Sequence, residues 1–368
     1  MPKKRTTQNP DPKATYLKLS RWFSKNARPF PWRGETDPYR VWISEIILVQ
    51  TTATVGVPRY LRFLKRFPTL KSLMSASVDE VMKEWEGLGY YHRARNLHRA
   101  AQIIRVEHGG KFPSTYEEIR KLPGIGDYCA AAIHNFCYGG RRVPLDANVA
   151  RVGARFFGIG GDIKASRTRR IIHGKLSKLM SVGTGAMWTE ALIGLGATVC
   201  TPRNPECEEC PLSDSCSANR SGHQASLGLP VKRAQRKVVN VACGIIRRAD
   251  GRILIAQRLE TGLLPNLWEF PGGKRDGNES LAETCRREIR EELAVVVSVG
   301  KRRMMIEHAY SHYAVRLHVF ECRYVSGSPR AIGCQRFRWM KVRELENLAF
   351  PAANRRIIEK LQSEQSPK

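Results

Sequence analysis

From about residue 10 to residue 220, apolar side chains recur at spacings of three and four. Val41-Trp42-Ile43 followed by Ile46-Ile47-Leu48 is one example, and short Pro and Gly breaks separate the segments. That period belongs to helices with a buried face. Ser114 with Glu117 predicts a capping box that opens a helix over 116–122. From 217 to 237 the pattern stops; Ser, Gly, Gln, Lys and Arg dominate, and the stretch reads as a linker. Beyond it, β-branched and aromatic residues concentrate at 238–246, 252–257, 315–323 and 337–342, which predicts strands, with a helix over 280–293 between them. The expected fold class is therefore multidomain: an all-α domain over 10–216, a linker over 217–237, and an α+β domain over about 238–362.

The chain has 368 residues, and 42% are hydrophobic, enough for two cores. No apolar run approaches the roughly 20 residues of a membrane helix, so no membrane partner is expected. Residues 1–5 are basic with no apolar stretch behind them, and they read as a short disordered tail, not a secretory signal. Lys and Arg number 62 against 34 Asp and Glu, a formal charge of +28. Such an excess favours a polyanionic partner, with nucleic acid first and a solvated basic surface or a ribosomal partner as competing readings.

Of ten cysteines, Cys200, Cys207, Cys210 and Cys216 follow the spacing C-x6-C-x2-C-x5-C. Four thiols this close suit zinc or an iron–sulfur cluster. A zinc ribbon would use two CxxC knuckles set further apart, and only one CxxC pair is present. Upstream, Leu122-Pro123-Gly124-Ile125-Gly126-Asp127 reads as a turn between helices. Glycines at 124 and 126 let backbone N–H groups approach a phosphate, a contact that grips DNA without reading its sequence. Asp146 follows in Leu145-Asp146-Ala147-Asn148-Val149-Ala150-Arg151; taken alone, it would be a helix N-cap.

The cysteine spacing resembles the cluster loop of the endonuclease III and MutY superfamily. The order hairpin, aspartate, cysteines resembles that superfamily's helix–hairpin–helix glycosylases. Pro31-Trp32-Arg33, Val41-Trp42-Ile43-Ser44-Glu45, Gly87-Leu88-Gly89-Tyr90-Tyr91 and Arg93-Ala94-Arg95-Asn96-Leu97 are similar to motifs of the MutY-type adenine DNA glycosylases. The resemblance implies base excision repair: hydrolysis of the N-glycosidic bond of adenine mispaired with 8-oxoguanine or guanine, by a monomer acting on duplex DNA. It implies a 4Fe–4S cluster on the four cysteines, structural and electrostatic in role. Glu45 matches the catalytic acid that protonates the extruded base at N7, and Asp146 the carboxylate that stabilises the oxocarbenium-like sugar. Tyr128 and Asn148 match positions that orient these groups and a water. Gly124, Gly126, Arg33, Gln50 and Tyr90 match DNA contacts, the last two as wedges beside the oxidised guanine. Relatives that cleave the strand carry a lysine where Tyr128 stands, so a monofunctional enzyme is expected. The expected compartment is the cytoplasm with its nucleoid, or the nucleus in a eukaryote.

Two departures keep a thymine-mismatch glycosylase of the same superfamily open. The family's paired glutamines become Val49-Gln50 before Thr51, and Ala147 stands where Gly is common. A nucleotide-pool hydrolase that only docks to DNA, and a non-catalytic DNA-binding protein, are further alternatives. Glu45 and Asp146 together argue against the last.

In the second domain Gly273, Glu279, Arg287, Glu288, Ile289, Glu291, Glu292 and Val295 fit a Nudix box, with Ala294 in place of its last Gly. Glu288, Glu291 and Glu292 fall on one helix face, a set that suits Mg²⁺ on a pyrophosphate; the competing reading is a solvated acidic helix laced with arginine. In MutY-type enzymes this domain recognises 8-oxoguanine, and His308-Ala309-Tyr310-Ser311-His312 resembles the loop that does so, which assigns the contact to Tyr310, Ser311 and His312. Hydrolysis of 8-oxo-dGTP is the added activity such a box would allow.

Overall fold

A computed structural model of the chain describes residues 10–230, 237–309 and 313–364. It divides into two compact units. The first takes the described residues up to Met74 and those from Arg99 to residue 230; the second takes Ser75–His98 and everything described after residue 236.

The first unit is helical. Asp11 and Asp37 cap the helices Pro12–Asn26 and Pro38–Leu48, each with Pro in the first turn, where its missing N–H costs nothing. Pro38–Leu48 is buried on nearly every face, from Tyr39 through Ile47. The expected capping box does not form; a plain N-cap stands one residue later, and the Glu118 carboxylate accepts from the Thr115 hydroxyl instead of a backbone N–H. Thr115, not Ser114, accepts from the N–H of Glu118 at 3.3 Å, and the helix runs Tyr116–Lys121. Both registers contain the box pattern, and the helix start selects the later one. Its partner across the hairpin is Asp127–Cys137. The core gathers Val149, Val152 and Phe156 from helix Ala147–Phe157 with Leu176, Trp188, Leu192 and Leu195.

The stretch expected as a linker belongs in large part to this unit. Ser217–Ser221 is a short helix with Ala218 fully buried, and Arg155 donates from Nε to the Leu227 carbonyl at 3.1 Å. Few apolar residues are needed because buried arginine and backbone bonds hold it. Residues 231–236, like 1–5, lie outside the described residues.

The second unit is built on a seven-stranded sheet: β1 (Lys237–Arg247), β2 (Ile253–Gln257), β3 (Trp268–Glu269), β4 (Gly272–Lys274), β5 (Val296–Ala309), β6 (Tyr313–Ser326) and β7 (Arg336–Met340). The order is β3-β2-β1-β6-β5; β4 pairs with β1 and β7 with β2. β1 and β6 run parallel and the remaining pairs antiparallel. Alternate residues face opposite helices. Ala242, Ile246, Leu254 and Ala256 pack with Cys285, Ile289 and Leu293 of helix Leu281–Leu293. Cys243, Ile245, Ile253 and Ile255 pack with Ala353, Ile357 and Leu361 of helix Ala352–Ser363. Burial on both faces explains the unbroken apolar run of β2.

Two elements of this unit were not expected. The edge strand β5 carries Lys301, Arg302 and Arg303 and slips register there, which erases the two-residue period while blunting the edge against foreign strands. The other is residues 75–98, expected within the helical domain. Glu86 accepts from the Phe350 N–H at 3.2 Å and from Arg355 Nε at 2.9 Å. Tyr91 donates to the Phe350 carbonyl at 3.2 Å, Arg95 to that of Pro265 at 2.8 Å, and Arg336 pairs with Asp79 at 2.7 Å.

Candidate active site

The helical unit brings Glu45, Tyr128 and Asp146 together. Glu45 sits near the end of a helix that is buried all round and is itself 6% exposed. The carboxylate takes a hydrogen bond from the Tyr128 hydroxyl; among the described residues Oε2 has no hydrogen-bond partner. Burial raises its pKa to about 7, against the pull of the Tyr128 bond, and the charges of Asp146 and Glu190 push the same way. Tyr128 lies in the first turn of helix Asp127–Cys137, and burial with the neighbouring Glu45 drives its phenol well above the usual value, so it keeps the proton it donates.

Asp146 is both the N-cap of helix Ala147–Phe157 and a member of this cluster. It accepts from the Val149 N–H at 2.7 Å and from Asn148 Nδ2 at 3.1 Å. Burial raises its pKa, while those bonds and the Arg151 charge oppose the rise. Asn148 is fixed in turn by Arg151, whose Nη2 donates to Oδ1 at 2.8 Å. Gly196 permits this: a Cβ there would stand 2.7 Å from that of Asn148.

Glu190, on helix Gly185–Thr198, escaped the sequence reading. It forms an ion pair with Arg33, whose guanidinium lies 4.9 Å from the Phe23 ring centroid and whose Nε is buried with no partner among the described residues. The pairing links distant segments and leaves no local signal. Arg33, expected to contact DNA, is thus engaged by Glu190.

Gly124 holds φ of 80° in the hairpin, and Gly126 caps the next helix with no side-chain bond, leaving its first N–H groups unclaimed by a cap. Gln50 and Tyr90 both adopt left-handed backbone, with φ of 62° and 47°. For a non-glycine residue this costs roughly 1–2 kcal/mol, and such strain gathers at functional sites.

The four cysteines lie around two short 3₁₀ turns, Cys207–Glu209 and Ser213–Ser215, and Cys200, Cys210 and Cys216 pack against the helical core. Burial and the neighbouring thiols push Cys207, Cys210 and Cys216 up, Cys210 to about 12. Thiols so placed become ligands only against a compensating cation, which is what iron supplies. Arg155 adds to it, donating to Cys200 Sγ at 3.4 Å and to the Pro202 carbonyl at 3.0 Å, while Arg151 donates to the Cys200 carbonyl at 2.8 Å. The donor set fits an iron–sulfur cluster.

In the second unit Gly273 allows close approach of the Nudix-box helix: a Cβ there would meet the Glu288 carboxylate at 2.2 Å. Arg287 holds Glu279 at 2.7 Å, Glu288 at 3.2 Å and Glu291 at 3.0 Å, while Glu292 accepts from the Gly272 N–H at 3.3 Å. Among the described residues no three His, Cys, Asp or Glu side chains, here or in the cysteine loop, are already drawn together around a single ion position. The expected Mg²⁺ ligands are therefore present but held by arginine and backbone. Ala294 takes the left-handed position expected of the replaced Gly, with φ of 56°, at a cost of about 1 kcal/mol. Tyr310, Ser311 and His312 lie outside the described residues.

Residues 43–178 match the model of the HhH-GPD superfamily base excision DNA repair proteins, 200–216 that of the iron–sulfur binding domain of endonuclease III, and 242–360 that of the NUDIX domain. The chain is 36% identical over 257 residues to an adenine DNA glycosylase of Buchnera aphidicola subsp. Baizongia pistaciae, covering 70% of this chain and 73% of that one. It is 28% identical over 402 residues to the human adenine DNA glycosylase, covering 94% and 74%. Among solved structures, a thermostable thymine-DNA glycosylase superposes with a TM-score of 0.52 at 28% identity, over 57% of this chain and 97% of that one. Among the described residues no helix is long and apolar enough to cross a membrane.

Proposed function

Because the chain belongs to the adenine DNA glycosylase family, a family of base-excision-repair enzymes acting on duplex DNA, we propose that it excises adenine paired with 8-oxoguanine or guanine, as a monomer and without cutting the strand. The observation that carries this reading is the buried pair: Glu45, with a pKa of about 7, beside Asp146, held by two hydrogen-bond donors. One group is poised to be protonated near neutral pH and the other ionised, the division of labour that glycosidic cleavage needs. Glu45 donates its proton to the extruded adenine, and the base leaves neutral. Asp146 faces the developing positive charge on the sugar. Tyr128 holds the Glu45 carboxylate, and Asn148 orients Asp146. The first N–H groups beyond Gly126 take a backbone phosphate. Gln50 and Tyr90 fill the stack when the base is extruded.

Single-turnover base release from duplexes carrying A opposite 8-oxoguanine, A opposite G, and T opposite G tests the reading. Release is expected to be fastest from the first, and product strands should stay whole until alkali is added. Preferential release of thymine would replace the reading with the thymine-mismatch alternative. Borohydride trapping of a protein–DNA adduct would remove monofunctionality.

The cysteines are proposed to hold four irons, a group that orders the loop and adds positive potential. Elemental analysis should give about four iron atoms per chain; zinc without iron would overturn the assignment.

For the second unit we propose recognition of the oxidised base, with Tyr310, Ser311 and His312 as contacts. A Mg²⁺-dependent hydrolysis is the weaker alternative, since Arg287 already pairs with Glu288 and Glu291, two of the three carboxylates that would bind the ion. The full chain with 8-oxo-dGTP and Mg²⁺ should release no more monophosphate than its Glu291→Gln, Glu292→Gln variant. Release above that control would establish the hydrolase.

A further inference from the structure

At the C-terminal ends of the parallel strands β1 and β6, an open groove of about 840 Å³ is lined by Arg247, Arg248, Ser298, Glu321, Arg323 and Tyr324, among others. Its size falls in the roughly 300–1,000 Å³ range of small-ligand sites. None of Glu288, Glu291 and Glu292 lines it. The Nudix-box strand β4 pairs with β1 at Val241, Ala242 and Cys243. Arg247 lies four to six residues further along the strand, roughly 13–20 Å away at the usual rise.

The groove is charged in an unbalanced way. Arg247 and Arg323 are register partners on adjacent strands, an arrangement in which like charges repel. Glu321 answers Arg247 at 3.5 Å but is shared with Arg303. Arg248 pairs with Asp250 at 2.5 Å, which also serves Arg252 at 3.7 Å. Arg323 is exposed and has no ion-pair partner among the described residues. Beside these guanidinium groups stands an aromatic wall. Arg248 lies 5.2 Å from the Trp339 ring centroid, and Tyr324 meets that ring edge-on at 5.9 Å. Stacking on Trp339 orients Arg248 and reduces the freedom it would lose on binding.

We propose that this groove is a phosphate-binding site, in which Arg247, Arg248 and Arg323 engage the oxygens of a phosphate group and the Tyr324 ring packs against the moiety that carries it. Guanidinium forks match phosphate geometry in pairs, and an anion between Arg247 and Arg323 relieves their repulsion. The phosphate comes either from the backbone of DNA or from a free nucleotide or pyrophosphate. The inference is independent of the base-excision reading, because none of these residues belongs to the Glu45–Asp146 cluster.

The test uses the full chain and two probes, inorganic pyrophosphate and an undamaged fluorescent DNA duplex, each titrated at several salt concentrations. The variant is Arg248→Gln with Arg323→Gln. An equal loss of charge elsewhere, Arg330→Gln with Arg343→Gln, is the control, and Arg323→Gln alone stands in if the double variant unfolds. The groove variant should bind one probe at least about fivefold more weakly than the control does. If DNA is the source, its log K against log salt slope becomes shallower by about 1–2, one phosphate contact contributing roughly 0.9. If the source is a free phosphate compound, pyrophosphate binding falls and the duplex slope stays. Equal affinities for both probes in groove variant and control would overturn the proposal. Adenine release at saturating enzyme should be unchanged, which separates its failure from failure of the catalytic assignment.

Discussion

Asp146→Asn is expected to reduce adenine release by at least about 10²–10³-fold, the scale on which loss of a positioned charge slows a reaction that develops charge. Duplex binding should be nearly unchanged. The reason lies in the cap. Asp146 Oδ1 accepts from the Val149 N–H and Oδ2 from Asn148. An asparagine amide oxygen takes over the backbone bond, and Asn ranks with Asp as an N-cap. The variant therefore removes the charge and keeps the helix. Asp146→Ala removes both and should in addition lose about 1 kcal/mol of stability. Single-turnover rates with thermal denaturation of both variants resolve the two roles. An Asn variant that turns over at the normal rate would refute the catalytic assignment.

Glu45→Gln is expected to lower the rate by about 10²–10⁴-fold, the contribution of a general acid. The pH dependence should change with it. In the parent protein only protonated Glu45 can donate, so the rate falls as pH rises through about 7. The acid limb comes from Asp146, which must be ionised and whose pKa is raised above 3.8. Glutamine removes the alkaline limb and leaves the acid one. Stability follows the same proton. The folded value of about 7 lies above the ordinary 4.5. The folded state thus holds a proton that the unfolded chain has lost, and the parent is destabilised as pH rises from 4.5 to about 7, then no further. At about 1.4 kcal/mol per unit, the span is on the order of 3 kcal/mol. Chemical denaturation of parent and Glu45→Gln at pH 4.5 and pH 8 should show the difference between them shifting by that amount. Parallel pH profiles would exclude a buried, titrating Glu45.

What was legible in the sequence is what local rules write. The three-and-four spacing marked the helical unit, and glycines 124 and 126 marked the hairpin. The cysteine spacing marked the loop, and the order of Glu45, Tyr128 and Asp146 marked residues that the fold brings together. Features set by distant partners stayed hidden. Glu190 is one polar residue in a mostly apolar helix, and only the fold shows that it faces Arg33. Arg151 and Arg155 carry no local sign of burial, yet both are buried and fasten the cysteine loop and residue 227 to the Asp146 helix. The stretch from 217 carries too few apolar residues to announce packing, and its attachment is polar. Strand β5 lost its alternation to charges that guard the edge. The helical reading of 75–98 was sound locally, but period alone cannot say which core a helix serves.

Segment 75–98 also sets the order in which this protein can be completed. Its partners, Pro265, Arg336, Phe350 and Arg355, are translated long after it. At about 5–20 residues per second, the ribosome needs on the order of 10–50 s to travel from residue 98 to residue 355. Throughout that interval the bonds of Glu86, Tyr91 and Arg95 to Pro265, Phe350 and Arg355 cannot form. The second unit is thus discontinuous in the chain and closes only near the end of synthesis. Ribosome release at residue 237 would yield a chain in which Asp79, Glu86, Tyr91 and Arg95 never acquire their bonds to Pro265, Arg336, Phe350 and Arg355, so the shortened product would be a helical domain with an unfinished segment inside it.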